Sequence, residues 1–267
     1  SYTGWKDLSP PDSLTFNPGL TKQERMVHKG KSFWFTETPA NVTVQDIYYD
    51  RKQVARADQQ VTVMDYVFLP DTPGTYNYDP QLQDRTKSWG GMQKILSSTA
   101  NDLIEENIEF VEFWAQILNA PTDAKVYIDL GKISEDVIPN NKLDTEDLDR
   151  NDAIDNAGKE DTGLDGITDD QERALYPNRG ADPSGDNFFF QRGSATYPFD
   201  YYNINGTQGN AILTDIGRIP DTEDLNRNGN LDLNNSYYRY EISLDTIAAT
   251  NKFIAGGGLN PNLAKKW

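Results

Sequence analysis

TEDLDRNDAIDNAGKEDTGLDGITDDQE (residues 145–172) crowds carboxylates into a segment with almost no apolar side chains, so it reads as loop held by other parts of the chain and not as core. Its first part recurs. Thr145-Glu146-Asp147-Leu148-Asp149-Arg150-Asn151 is echoed at Thr222-Glu223-Asp224-Leu225-Asn226-Arg227-Asn228, and in both copies a further Asp stands eight residues after the first, at Asp155 and Asp232. Oxygen side chains at alternate positions are the spacing that wraps a loop around a hard cation.

Set against the EF-type pattern of ligands at loop positions 1, 3, 5, 7, 9 and 12, residues 224–235 offer Asp224, Asn226, Asn228, Asn230 through its carbonyl, and Asp232, with Gly229 at the sharp turn. Asn235 falls where the pattern has a bidentate Glu. Residues 161–172 offer Asp161, Asp165, Ile167 through its carbonyl, Asp169 and the terminal Glu172, with Gly163 in place of a ligand. Residues 147–158 offer Asp147, Asp149, Asn151 and Asp155, with Asp152 at the glycine position and Gly158 at the end. The expected cofactor is calcium in a structural role, against the plainer alternative of Asx turns with solvated carboxylates.

Around these loops the chain reads as strands. Residues 32–36 (SFWFT), 42–49, 61–69 (VTVMDYVFL), 108–117 (IEFVEFWAQI), 125–130 (KVYIDL) and 237–244 (YYRYEISL) are β-branched or aromatic runs with alternation. The 108–117 run predicts a central strand antiparallel to 125–130, with Val126, Ile128 and Leu130 inward. Residues 97–107 predict a helical turn. The fold class this predicts is all-β, a two-layer β-sandwich with long acidic calcium-binding loops. Residues 1–31 form a charged, Pro-rich lead-in along the surface. Residues 32–250 form the sandwich domain, with acidic insertions at 144–172 and 221–235, and 251–267 form a linker or tail.

A net charge of −17 argues against electrostatic binding of nucleic acid or an anionic membrane. The absence of cysteine removes disulfides and thiolate chemistry. No apolar run approaches the length of a membrane-spanning helix. The chain begins at Ser1 rather than Met and ends abruptly at Trp267, as a piece of a longer protein would. His28, the single histidine, has no sequence neighbours that mark it as catalytic. A mixed face carrying Glu112, Trp114, Tyr127 and Asp129 could stack and hydrogen-bond a sugar, or, with a different carboxylate separation, cleave one. Ordinary packing of Trp114 is the plainer reading.

The runs VTVMDYVFLPDTPGTYNYDP (61–80), WGGM (89–92), NIEFVEFW (107–114), KVYIDLGKISEDV (125–137), EDTGLDGITDDQE (160–172) and PDTEDLNRNGNLDLNNSYYRYEISL (220–244) resemble the SprA family, also called Sov. These are the giant outer-membrane translocons of the type IX secretion system of Bacteroidetes. The resemblance covers roughly residues 42–244, and GTYNYD (74–79) stands where the family has a Pro-Tyr-Asn run. It implies a non-enzymatic soluble insertion, of jelly-roll or carbohydrate-binding-module-like β-sandwich architecture, in a large transmembrane β-barrel used in protein transport and, in gliding species, motility. The partners it implies are translocon subunits and secreted proteins, with no membrane contact within these residues; of the two placements left open, the cell surface is expected over the periplasm. The alternative is a carbohydrate-binding module of a surface protein or glycoside hydrolase, with a glycan as partner.

Overall fold

The computed structural model describes residues 4–12, 18–36, 42–48, 54–55, 59–80, 82, 84–96, 107, 109–111, 113–120, 123–190, 199–211 and 218–244. In chain order these contain β1 (Lys6–Asp7), α1 (Lys22–Met26), β2 (Gly30–Thr36), β3 (Val42–Thr43), α2 (Val44–Tyr48), β4 (Gln60–Val61), β5 (Met64–Pro73), β6 (Met92–Gln93), β7 (Lys125–Lys132), α3 (Ala157–Glu160), α4 (Asp169–Leu175) and β8 (Ser236–Ser243). The fold is mainly β, with few and short helices. Among the described residues the strands pair as four two-stranded antiparallel ladders, β1–β6, β2–β5, β3–β4 and β7–β8.

Two small apolar clusters hold this framework. Phe33 and Phe35 alternate onto one face of β2 and are fully buried, Phe35 stacking on Tyr201 with ring centroids 3.9 Å apart, while Val67 and Leu69 of β5 close the cluster. The second cluster joins Met26, Tyr76, Trp89, Val137 and Leu164, with Tyr127 packed against it. Leu164 comes from the acidic stretch itself.

Trp34, Val44 and Ile47 are buried outside these clusters, and much of the remaining interior is polar. Lys29 is buried and pairs with Asp7 at 2.6 Å, and Glu146, Glu172, Glu223, Asp136 and Asp186 are all buried. The expectation that the acidic stretch lies wholly outside the core is therefore corrected. Its carboxylates enter the interior because backbone N–H groups meet them there, which is the condition for burying a charged acceptor.

Other expectations change for local reasons. The strand expected over residues 42–49 stops after Thr43, because Asp46 Oδ2 accepts from Thr43 N at 2.7 Å and Thr43 Oγ1 accepts from Asp46 N at 3.2 Å, a capping box that starts α2. In the lead-in, the charged TKQER segment becomes α1, capped by Thr21 with Glu24, and buries Arg25 and Met26. Of the expected central strand, residues 109–111 and 113–117 form no ladder, and Phe110 is 73% exposed. The partner of β7 is β8, in register from Lys125↔Ser243 to Lys132↔Ser236. The inward face expected of β7 holds in part: Ile128 and Leu130 are half-buried, but Val126 is exposed, as are Tyr238 and Tyr240 across the ladder, and Tyr127 on the other face packs on the second core cluster. The helical turn expected at 97–107 and the tail at 251–267 lie, but for Asn107, outside the described residues. No helix among the described residues is long and apolar enough to cross a membrane.

Candidate cation-binding loops

The two copies of the echoed sequence meet in space. Thr145 and Thr222 form an antiparallel bridge, Glu146 N donates to Asp221 O at 3.0 Å, and Glu223 N donates to Asp144 O at 3.0 Å. The side chains repeat this reciprocity: Glu146 Oε2 accepts from Asp221 N at 2.9 Å, and Glu223 Oε2 accepts from Asp144 N at 3.0 Å. Each glutamate gives its other oxygen to a further chain segment, Glu146 to Gly163 N and Glu223 to Ile138 N. The arrangement has an approximate two-fold character, with both glutamates 1% exposed.

From these glutamates the loops leave with the same backbone course. Asp147 accepts from Asn151 N and Asp152 N, and Asp224 accepts from Asn228 N and Gly229 N. Arg150 and Arg227 both adopt left-handed φ, at 62° and 56°, and so do Asp152 and Gly229, at 61° and 79°. Glycine suits that turn, and Asp tolerates it. Side chains then converge: Asn151 Nδ2 reaches Asp149 and Asp155, while Asn226 Nδ2 and Asn228 Nδ2 reach Asp232. Asn230 donates its N–H to Asn228 Oδ1 at 2.8 Å.

Each loop gains a glutamate from outside its sequence register. Glu160 Oε2 accepts from Asp155 N and Asn156 N, and an oxygen each of Asp147, Asp149 and Glu160 lie within 4.8 Å of one another. Glu135 accepts from Leu225 N and Asp232 N, both at 3.0 Å, beside the second loop.

Residues 161–172 do not close as one loop. Both oxygens of Asp161 accept backbone N–H groups, from Gly209 and Ala211. Ile167 donates its N–H to Asp165 Oδ1. Thr168 starts α4, which carries Asp169 and Glu172 toward a second turn at residues 182–187, where Asp182 Oδ1 accepts from Gly185 N and Asp186 N. One oxygen each of Asp165, Glu172 and Asp186 lie within 4.8 Å of one another, as do those of Asp169, Glu172 and Asp182. Asp169 also accepts from Asn187 Nδ2 and pairs with Arg173 at 3.6 Å. Beside Asp182 an open cavity of about 210 Å3 is lined by Lys31, Arg179 and Tyr202 among others.

Burial raises the proton affinity of these carboxylates. Glu146 is pushed up to about 9 by burial and then by Asp221, and Glu223 to about 8 by burial and then by Asp144 and Asp136, while the backbone donors pull both the other way. Glu172 is raised to about 7 and Asp144 to about 6, burial leading in each. Asp186 and Asp165 are raised by burial too. A hard cation seated among such groups would favour their charged forms and reverse the shift.

The residues considered for a sugar platform have other neighbours. Arg239 makes a bidentate contact with Asp129, at 2.7 and 2.6 Å, and lies over the Tyr127 ring at 5.1 Å. Trp114 meets Tyr48 edge to face, with centroids 5.0 Å apart. Glu112 lies outside the described residues.

The functional candidates missed by reading loop by loop are Glu135, Glu160, Asp182 and Asp186. Asp182-Pro183-Ser184-Gly185-Asp186 carries the same alternate-oxygen signal as the recognised loops and could have been found by it. Glu135 reaches its loop over a sequence distance that no spacing rule spans. No protein-family model matches this chain, and no curated protein matches it.

Proposed function

We propose that this chain is a non-catalytic, calcium-stabilised module of a SprA-like type IX secretion translocon, placed at the cell surface, where it contacts translocon parts or the secreted protein. The observation that carries the calcium reading is the matched pair of loops at 147–155 and 224–232, whose oxygen side chains converge with the same turns on either side of the reciprocal Glu146–Asp221 and Glu223–Asp144 contacts. Convergence of this kind places like charges together, and a divalent cation relieves the repulsion. Millimolar extracellular calcium suits loops in which Asn replaces several carboxylates.

The raised carboxylates are poor candidates for acid–base catalysis because Glu146, Glu172, Glu223 and Asp186 are buried away from any substrate. The translocon assignment and the jelly-roll architecture rest on the family resemblance of the runs at 61–80, 107–114, 125–137 and 220–244. The ladders β2–β5 and β7–β8 are what such an architecture would build on. The engagement of Asp129 and Tyr127 by Arg239 favours this reading over glycan binding.

Thermal melting tests the calcium part: millimolar calcium raises Tm over chelator by mass action on the folded state, and the gain is lost in Asp147→Asn/Asp224→Asn. An unchanged Tm in the parent chain refutes it. For the translocon part, deleting residues 144–235 from the parent protein is expected to block type IX export while its barrel still inserts. Undiminished export rejects that assignment, and saturable glycan binding lost in Trp114→Ala supports the alternative.

A further inference from the structure

We propose that Asp165, Glu172, Asp182 and Asp186 form a buried divalent-cation site of their own, distinct from the paired loops. It builds on the calcium reading of the acidic stretch but uses residues from two segments that no single loop register joins.

The first ground is geometric. The turn after α4 brings an oxygen of Asp186 within 4.8 Å of Asp165 and Glu172, and one of Asp182 within 4.8 Å of Glu172 and Asp169, so Glu172 joins the two groups, and the approach is tight enough that a Cβ on Gly163 would come within 1.8 Å of Asp186 Oδ2. Every ligand atom in this centre is oxygen, and the donor set is irregular, which fits calcium better than a transition metal or octahedral magnesium.

The second ground is independent of charge. Glu172 is fully buried, and among the described residues no N–H or O–H donor meets its Oε1. Every other carboxylate oxygen of the four is met by one. Tyr78 OH donates to Asp165 Oδ2 and Ile167 N to Oδ1. Asp182 takes Gly185 N and Asn187 N, Asp186 takes Ser184 Oγ and Tyr76 OH, and Glu172 Oε2 takes Ser184 N. A single bare oxygen at the centre of an otherwise satisfied network marks where an electrophile belongs, since leaving it bare forfeits the full desolvation cost of the group.

Lys31 and Arg179 line the cavity beside Asp182, at the edge of this centre. Lys31 Nζ donates to Gly185 O at 3.1 Å, and Arg173 pairs with Asp169 and Asp170. Tyr76 and Tyr78, touching Asp186 and Asp165, stand within range to pass excitation energy to a bound lanthanide.

Terbium, an oxygen-seeking calcium substitute, is the probe. Tyrosine-excited terbium emission is expected from the 267-residue chain, displaced by calcium, and weakened by about tenfold or more in Glu172→Gln. That variant is expected to lose calcium at this centre while the paired loops keep theirs, and Asp147→Asn/Asp224→Asn is expected to do the reverse. Emission that is absent, or unchanged in a folded Glu172→Gln, overturns the proposal. If that variant does not fold, anomalous diffraction from terbium-soaked crystals of the parent chain decides. A peak bonded to Glu172 Oε1 supports the site, and peaks at the paired loops alone overturn it while leaving the calcium reading of those loops intact.

Discussion

Glu223 holds Ile138 N and Asp144 N with its two oxygens, so its removal leaves two half-buried donors without that acceptor. Glu223→Ala is expected to cost about 2–6 kcal/mol in urea denaturation, at about 1–3 kcal/mol for each stranded group. Burial also makes Glu146 and Glu223 titrate unusually. Both keep a proton in the folded chain over a range where the unfolded chain has lost it, so their contribution to stability is full below about 4.5 and is lost as the pH rises through about 8 and about 9. In chelator, Tm is therefore expected to fall across that window, and added calcium to flatten the fall. A Tm that rises with pH there contradicts the assignment. In the apolar interior, Phe35→Ala removes a fully buried ring stacked on Tyr201 and is expected to cost about 3–5 kcal/mol by the same measurement.

At the scale of elements, β7–β8 is held to the body by its polar face rather than its apolar one. Arg239, largely buried, joins Asp129 to the rings of Tyr127 and Tyr237, so Arg239→Leu is expected to destabilise by about 2 kcal/mol, read as a lower urea midpoint with unchanged slope. Alternation in the sequence was enough to place β2, most of β5, β7 and β8, because those runs find a partner with which to make a ladder. It misled over residues 108–117, where the same periodicity meets no partner strand in the described part. It misled again at residues 44–48, where β-branched residues outweighed a legible capping signal, Thr43 with Asp46. The paired loops were legible because their ligands are local. Glu135, Glu160, Asp182 and Asp186 were not, since their approach depends on how separate segments pack, and apolar patterning says nothing about buried carboxylates met by backbone donors.

For the molecule as a whole, a net charge of −17 is only partly a surface property. Two modest apolar clusters, one around Phe33 and Phe35 and one around Trp89 and Tyr76, sit beside an interior of carboxylates, amides and the Lys29–Asp7 pair. Breaking that pair with Lys29→Ala is expected to cost about 3 kcal/mol, read in urea denaturation.

The reciprocal contact of Glu146 and Asp221 spans 75 residues of chain. A chain emerging N-terminus first carries its first acidic loop as half of a clasp, with Gly163 able to meet Glu146 early and Asp221 arriving only much later. Closure is thus a late and long-range event, slow in the way that high contact order makes folding slow. Until then the first loop keeps its carboxylates together without the segment that completes the clasp, and the paired arrangement closes only once the second copy reaches the first.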